Sequence, residues 1–153
     1  MPEKRQPMTR SEMMGNIGSR NTKPEMIVRR GIHRLGFRYS LHRSIEKCKP
    51  DLVLPKYRAV IFVHGCFWHA HQGCHFFRLP KTRTDFWKKK LAGNVERDKK
   101  FNTMLMNSGW RVLTIWECAT RNQTQETLAE QIAAWLRSDE ISGFMPSELE
   151  RLN

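Results

Sequence analysis

Ala59-Val60-Ile61-Phe62-Val63 is the most apolar run of the chain, and it leads through His64 and Gly65 into Cys66-Phe67-Trp68-His69-Ala70-His71-Gln72-Gly73-Cys74-His75. The apolar run predicts a buried central strand. The ten residues that end at His75 contain two thiols, three imidazoles and two adjacent large rings. Thiolate and imidazole together suit a tetrahedral zinc site, and adjacent rings in a basic protein suit stacking on bases or wedging between them. The pattern indicates nucleic-acid chemistry.

Composition supports the same class of partner. The 153 residues include 27 Lys and Arg against 15 Asp and Glu, which gives a net charge of +12. Such an excess favours a polyanion, usually nucleic acid, although a basic soluble protein or a membrane-surface binder remains an alternative. No apolar run approaches the roughly 20 residues of a membrane span. Residues 1–7 contain no hydrophobic segment of a secretory signal, so we expect a cytoplasmic protein in which four cysteines favour metal over disulfides.

Local patterns divide the chain into three parts. Residues 1–21 are polar and basic, which predicts an N-terminal arm that clamps DNA, and residues 139–153 are expected to form an irregular C-terminal tail. Between them, residues 22–138 form the predicted domain. Thr22 and Glu25 have the spacing of a capping box, which predicts a first helix ending at Gly36. Later patterns predict strands at 37–42, 51–54 and 58–63, a helix at 84–107, a strand at 110–116 and a helix at 125–138. This order favours an α/β domain around a mixed sheet that is antiparallel at its start.

Pro50-Asp51 opens a predicted strand after a basic loop. A carboxylate at the end of a sheet can hold magnesium, although a turn-starting aspartate is the simpler interpretation of this pair. The next strand follows with the spacing of PD-(D/E)xK nucleases, but it contains no acid-x-Lys pair. His64 and His69 are candidates to replace the missing groups, because a neutral imidazole can take a proton from water near neutral pH. A structural hydrogen bond or zinc binding is the alternative for each histidine.

The candidate zinc ligands lie on both sides of the long predicted helix. Cys66 and Cys74 are the strongest candidates, with His71 between them and Cys118 as the fourth. His69, His75 and Cys48 compete with these four, and four unlinked free thiols are the remaining alternative.

Five other residues each have two interpretations. Glu25 and Asp98 either support the site or are solvated helix residues. The rings of Phe67, Trp68 and Trp87 either contact bases or belong to the core.

Several segments together resemble the very-short-patch repair (Vsr) endonucleases. The hallmark segment is residues 60–69, and further matches are Thr9-Arg10-Ser11, Pro50-Asp51, Thr82-Arg83-Thr84 with Phe86-Trp87, residues 94–98, residues 109–113 and Trp116-Glu117-Cys118. The resemblance runs from about residue 9 to residue 137. It implies a restriction-endonuclease-like α/β core, with a mixed central sheet flanked by helices and a structural zinc site.

The resemblance also implies an activity. A magnesium-dependent endonuclease of this family would nick one strand beside the thymine of a T·G mispair that arises when 5-methylcytosine deaminates. The Asp51 carboxylate and the Val63 backbone carbonyl would bind magnesium, although Val63 stands where a threonine is familiar and no hydroxyl is available. His69 would be the general base, supported by Glu25 and His64, with Asp98 in the next layer.

Zinc and DNA contacts follow from the same resemblance. Zinc would be held by Cys66, His71, Cys74 and Cys118. Beside the mispair, Phe67, Trp68 and Trp87 would insert from the major groove and Met14 from the minor groove. The implied partner is double-stranded DNA with a T·G mismatch, acted on by a monomer in the bacterial cytoplasm at the nucleoid. Cooperation with a cytosine-5 methyltransferase and with other mismatch-repair proteins is also implied.

Two other functions fit the residues. A non-catalytic, zinc-stabilised DNA-binding module would account for the charge, the zinc ligands and the rings, but not for Pro50-Asp51 beside surplus histidines. A restriction endonuclease that cuts matched duplex DNA would use the same groups. Cleavage of mismatched and matched duplexes, with and without magnesium, separates the three.

Overall fold

A five-stranded mixed sheet forms the centre of the fold in the computed structural model, which describes residues 21–147. In sheet order the strands are β1 (Ser40–Leu41), β2 (Leu52–Leu54), β3 (Ala59–His64), β4 (Arg111–Trp116) and β5 (Ser142–Met145). The first three strands pair antiparallel, whereas β3 with β4 and β4 with β5 pair parallel. The predicted mixed sheet with an antiparallel start is confirmed.

Helices cover both faces of the sheet. They are α1 (Lys23–Arg34), α2 (Thr84–Asn107), α3 (Glu117–Arg121) and α4 (Gln125–Arg137), and a single 3-10 turn at Pro55–Tyr57 joins β2 to β3. The 24-residue helix α2 is the crossover between the parallel strands β3 and β4, and its bounds agree with the predicted ones. None of the helices between residues 21 and 147 is long and apolar enough to cross a membrane.

The core has two parts because side chains alternate along the strands. On one face, Leu52, Ile61 and Leu113 pack with residues of α1 and α4. On the other face, Val53, Val60 and Val112 pack with Leu105 of α2. The result is a three-layer α/β/α arrangement that presents α1 and α2 to opposite faces of β3.

The first helix begins as its sequence predicts and packs closely for a local reason. The Thr22 hydroxyl accepts a hydrogen bond from the Glu25 N–H at 3.4 Å. The Glu25 carboxylate, however, accepts from the Asn21 N–H at 3.1 Å, which is one residue before the partner that a capping box requires. Gly31 faces α4, where an added Cβ would lie only 3.0 Å from the Ala129 Cβ. This missing side chain brings α1 against α4.

The segment expected to be an irregular tail contributes β5 at the edge of the sheet, so that expectation is wrong for Ser142–Met145. Tertiary contacts create this strand. Gly143 lies against the Trp135 indole, whose Nε1 would be 2.5 Å from an added Cβ. Just before the strand, the Arg111 guanidinium donates to the carbonyls of Trp135, Leu136, Ser138 and Glu140 at 2.8–3.0 Å. These bonds satisfy the end of α4 and direct the chain back to β4.

Other differences are local. The strand predicted at 37–42 is reduced to Ser40–Leu41, and α3 was not predicted at all. Apolar spacing along the predicted helix at 84–107 places Phe86 on its inner face, but Phe86 is 45% exposed. Of the predicted arm, only Asn21 belongs to the described residues; Met14 lies outside them, as do residues 148–153 of the tail.

Candidate functional site

The end of β3 lies next to three groups of chemically active side chains. The thiol cluster consists of Cys66, His71, Cys74 and Cys118; the histidine cluster of His64, His69 and Asp98; and the carboxylate cluster of Glu25, His42 and Asp51. Within each cluster, one ligand atom from every residue lies within 4.8 Å of the others. Sequence-distant groups therefore converge on residues 63–66.

The thiol cluster draws its ligands from two places in the chain. Cys66, His71 and Cys74 come from the loop after β3, and Cys118 comes from α3, directly after β4. The Cys118 Sγ lies 3.6 Å from the His71 Nδ1, and the Cys66 Sγ accepts a hydrogen bond from the Cys118 N–H at 3.4 Å. The competing candidates lie elsewhere: His75 is exposed, and Cys48 belongs to the core on the α2 face.

Burial controls the charge of the thiol cluster. The Cys118 side chain, by hydrogen bonding, and burial both raise the pKa of Cys66, and burial raises the pKa of Cys74. The His71 ring is fixed in orientation because it stacks on Trp116, with ring centroids 4.0 Å apart. A bound cation would favour the thiolate forms that burial disfavours. The four side chains could therefore hold a metal ion.

The histidine cluster has the arrangement of an oriented base. The Nδ1 of His69 lies 2.6 Å from the Oδ2 of Asp98, which projects from α2. Because an ionised carboxylate only accepts hydrogen bonds, Nδ1 carries the hydrogen in this pair. The Nε2 of His69 then keeps its lone pair and can accept a proton.

His64 packs against one face of the His69 ring. The two imidazoles are stacked with centroids 3.7 Å apart and planes 3° apart. Burial, and secondarily the charge of His69, lowers the pKa of His64, so its ring is neutral near pH 7. Because the two rings are parallel, their nitrogen lone pairs, which lie in the ring planes, do not point at a common position between the rings. This geometry favours proton transfer at His69 over one ion shared by both rings.

Asp51 is tied to the end of β3 by a backbone hydrogen bond. Its Oδ2 accepts from the Val63 N–H at 2.7 Å. In an extended strand, the N–H and C=O of one residue point to the same side. The Val63 carbonyl is therefore directed toward the β2 side of β3, where the Asp51 carboxylate lies.

Glu25, on α1, lies close to Asp51 at the same place. It is 1% exposed, and its Oε2 accepts from the Asn21 N–H and from the Arg29 guanidinium, both at 3.1 Å. Burial is the largest of the effects that raise the pKa of Asp51 to about 7. The hydrogen bond from the Val63 N–H lowers this pKa, and the charge of Glu25 raises it. Two carboxylates in this setting repel each other and favour an intervening cation.

A cavity of about 350 Å³ opens beside the histidine cluster. His64, His69 and Asp98 line one side of it, and Lys99 and Asn102 of α2 contribute an ammonium group and an amide. An anionic group that entered this cavity would meet the imidazoles together with a cation.

Three rings form an aromatic cluster next to His69. Phe67, Trp68 and Trp87 have ring centroids 5.3–5.9 Å apart in edge-to-face arrangements. All three are half-buried and none belongs to the two core clusters. The Asn94 side chain donates to the Trp68 carbonyl at 2.9 Å and holds this loop to α2. Insertion into DNA, which the resemblance implies, predicts exposed rings outside the core; the structure brings the three rings together as a mutually packed, partly accessible surface.

Within the described part of the chain, every side chain predicted for the site lies in one of these groups, and Val63 is joined to the carboxylate cluster by its backbone N–H. One member of the clusters was missed. His42 belongs to the carboxylate cluster, although no sequence motif indicates it. Its only signal is a position at the end of a predicted strand that pairs with the strand after Asp51.

Comparison with known proteins decides the family. A family model described as DNA mismatch endonuclease Vsr matches residues 3–75. The DNA mismatch endonuclease Vsr of Escherichia coli (strain K12) is 40% identical over 143 residues, which cover 92% of this chain and 91% of that protein. This chain belongs to the Vsr family. It is an endonuclease that acts on DNA, and the resemblance found in the sequence is confirmed.

Other Vsr-like proteins carry a different description. A type II nicking enzyme, V.XorIIP of Xanthomonas oryzae pv. oryzae, is 43% identical over 118 residues, which cover 77% of this chain and 86% of that protein. Among solved structures, the catalytic domain of the homing endonuclease I-Bth0305I has a TM-score of 0.52 at 22% identity, covering 77% of this chain and all of that domain. This second likeness supports the endonuclease fold.

The carboxylate cluster predicts a stability gain on neutralisation. Because the folded-state pKa of Asp51 is raised, its ionised form destabilises the native state, and this penalty grows from acidic pH up to about pH 7. Asp51→Asn keeps an oxygen that can accept from the Val63 N–H. In buffer free of divalent cations at pH 8, we expect the variant to melt a few degrees higher than the parent by calorimetry. Asp139→Asn, at an exposed position, is the control, and a lower melting temperature for Asp51→Asn alone would contradict the prediction.

Proposed function

We propose that this Vsr-family endonuclease hydrolyses one strand of duplex DNA beside the thymine of a T·G mispair, in very-short-patch repair of deaminated 5-methylcytosine. The observation that carries the proposal is the convergence at the end of β3. The Asp51 carboxylate accepts a hydrogen bond from the Val63 N–H, and the His69 ring, paired with Asp98, stacks on His64. The aromatic cluster begins at Phe67, three residues after His64.

His69 is the general base in this proposal. Asp98 holds the Nδ1–H, which leaves Nε2 to take a proton from the attacking water. The neutral ring of His64 keeps His69 in place without adding a second positive charge. A mobile imidazole would lose this alignment. The stack with His64 and the 2.6 Å hydrogen bond to Asp98 both hold His69 in position to act as the base.

The carboxylate cluster fits a magnesium site. Its oxygen donors are those that magnesium accepts, together with waters and phosphate oxygens, and the buried Glu25 carboxylate lies there beside the partly buried Asp51 carboxylate. We assign the Asp51 carboxylate and the Val63 carbonyl as protein ligands, with Glu25 in support. When bound, magnesium stabilises charge on the scissile phosphate and on the leaving oxygen. Position 63 is valine where a threonine is familiar in the family, but either residue provides the backbone carbonyl.

The thiol cluster fits structural zinc. A sulfur and a nitrogen bound to one tetrahedral zinc at about 2.3 and 2.0 Å lie roughly 3.5 Å apart. The Cys118 Sγ and His71 Nδ1 are separated by 3.6 Å. All four ligand positions would be filled by protein, which is the pattern of structural rather than catalytic zinc. In this role, zinc joins the loop after β3 to α3.

Mismatch selectivity is assigned to the aromatic cluster. Inserting a ring between base steps costs a few kcal/mol of lost stacking, and a mispaired step is opened more readily than a paired one. Phe67, Trp68 and Trp87 would therefore penetrate a T·G site in preference to matched DNA, with Met14 entering from the opposite groove. The exposed lysines Lys88–Lys90 of α2 would contact phosphates in any sequence.

The proposed biological setting follows from the substrate. The enzyme would act as a monomer on nucleoid DNA in a bacterial cytoplasm. A cytosine-5 methyltransferase would create the sites, and other mismatch-repair proteins would complete the repair.

Cleavage assays test the proposed activity. With magnesium, the protein should nick the thymine-containing strand of a T·G duplex and leave a matched duplex intact. Asp51→Asn and His69→Ala should each lower the single-turnover rate by about 100-fold or more while duplex binding is kept. Asp139→Asn and His75→Ala, both at exposed positions, are the matched controls.

Each alternative function has its own outcome in this assay. Cutting of both strands of matched DNA would identify a restriction endonuclease. Binding without any cleavage would identify a DNA-binding module. Rates within a few-fold of the parent for Asp51→Asn or His69→Ala would reject the assigned roles.

Metal analysis tests the zinc site. Purified protein should contain one zinc per chain by plasma mass spectrometry. Cys66→Ala should lose the zinc and melt at a lower temperature, because binding to a structural site contributes folding free energy. Cys48→Ala removes a buried thiol outside the cluster and should keep the zinc. Equal zinc content in Cys66→Ala and in the parent would disprove the site.

Binding measurements test the aromatic cluster. Stacking on a base contributes about 1–3 kcal/mol per aromatic ring, so Trp68→Ala should weaken T·G binding by roughly tenfold and matched-duplex binding much less. Lys89→Ala should weaken both duplexes alike, because phosphate contacts carry no sequence information. Both affinities are measured at one salt concentration. An equal loss on the two duplexes for Trp68→Ala would argue against insertion, and a large drop in its melting temperature would place the ring in the core.

A further inference from the structure

His42 occupies a position beside Asp51 that the proposed reaction has not used. It follows β1 (Ser40–Leu41), whereas Glu25 lies on α1 and Asp51 directly precedes β2. Its side chain is 14% exposed, and its Nε2 lies 3.3 Å from the Glu25 Oε1. Three separate elements thus bring two carboxylates and one imidazole together.

The backbone of His42 has an uncommon conformation. Its φ of +50° lies in the left-handed region, which costs free energy for residues other than glycine, although histidine, like asparagine and aspartate, is found there more often than most residues. Its N–H donates to the Asp51 carbonyl at 3.2 Å. The loop is therefore anchored to the residue whose side chain completes the cluster.

Two buried atoms of the cluster have no hydrogen bond in the described part of the chain. They are the Oε1 of Glu25 and the Nε2 of His42, which face each other without the geometry of a hydrogen bond. Glu25 is almost fully buried, and a buried polar atom without a partner is destabilising. A cation would satisfy the carboxylate oxygen and the imidazole lone pair together.

We propose that His42 and Glu25 join Asp51 and the Val63 carbonyl as protein ligands of the divalent cation at this site, and that His42 shifts the preference of the site from magnesium toward a transition metal such as Mn²⁺. This inference rests on the assignment of Asp51 as a cation ligand under the proposed function. Magnesium prefers oxygen donors and water. An imidazole in the ligand set favours first-row transition metals, whose affinities for nitrogen-containing sites rise from Mn²⁺ onward.

Electron paramagnetic resonance with Mn²⁺ as the probe tests the proposal without DNA or catalysis. The full-length, zinc-loaded protein is titrated with Mn²⁺, and magnesium affinity is obtained by competition. In the parent, spin-echo modulation from an imidazole nitrogen should accompany bound Mn²⁺. His42→Gln supplies an amide oxygen instead of the ring nitrogen, so it should abolish that modulation and weaken Mn²⁺ binding by about tenfold or more, with a much smaller effect on magnesium.

Further variants make each outcome decisive. His42→Asn is measured in parallel, because asparagine tolerates the left-handed backbone and protects against a folding defect in the glutamine variant. His69→Gln changes a ring in the histidine cluster and should retain the nitrogen modulation. Loss of the modulation in His69→Gln would move the ion to that cluster and overturn the proposal.

Asp51→Asn separates failure of this inference from failure of the underlying site. If Asp51→Asn loses Mn²⁺ but the His42 variants bind it normally with the modulation intact, His42 is not a ligand and the assignment of Asp51 stands. If Asp51→Asn binds Mn²⁺ as tightly as the parent, the proposed cation site is wrong, and the assignment of His42 fails with it.

Discussion

Parallel pairing of β3 with β4 is the constraint on which the site depends. Six consecutive residue pairs, from Ala59 with Arg111 to His64 with Trp116, hold the strands in register. Because parallel strands end at the same edge of a sheet, the loop after β3 and helix α3 after β4 leave side by side. This is why Cys118 approaches Cys66 across 52 positions of the chain, and why Trp116 can stack on His71.

Antiparallel pairing on the other side of β3 adds the second half of the site. It brings the start of β2, and with it Asp51, to the end of β3. The helices then supply acids from opposite faces: α1 contributes Glu25, and the crossover helix α2 contributes Asp98. One strand end thus lies between a base and a group of carboxylates, an arrangement that a two-layer fold with helices on a single face would not provide.

The site includes groups that disfavour folding in the absence of a ligand. Burial and the neighbouring Glu25 raise the pKa of Asp51, His64 is desolvated, and His42 has a left-handed backbone. Such features are common at functional sites, where activity requires an arrangement that stability alone would not select. The two hydrophobic clusters on either side of the sheet offset this cost by fixing α1 and α2 against β3.

The sequence by itself determined the parts of the protein whose signals are local. Short apolar runs identified β2, β3 and β4, and helical spacing of apolar residues identified α2. The density of thiols, imidazoles and rings after β3 identified the site, and several motifs along the chain identified the family. Only the tertiary structure decided that His71, and not His75, joins the three thiols, that Phe86 faces solvent, and that His42 lies against Glu25. It also decided that Ser142–Met145 forms a strand, since that strand depends on pairing with β4 and on contacts with the Trp135 indole and Arg111. Local patterns reflect the preferences of neighbouring residues, whereas these four features depend on contacts between residues that only the folded sheet brings together.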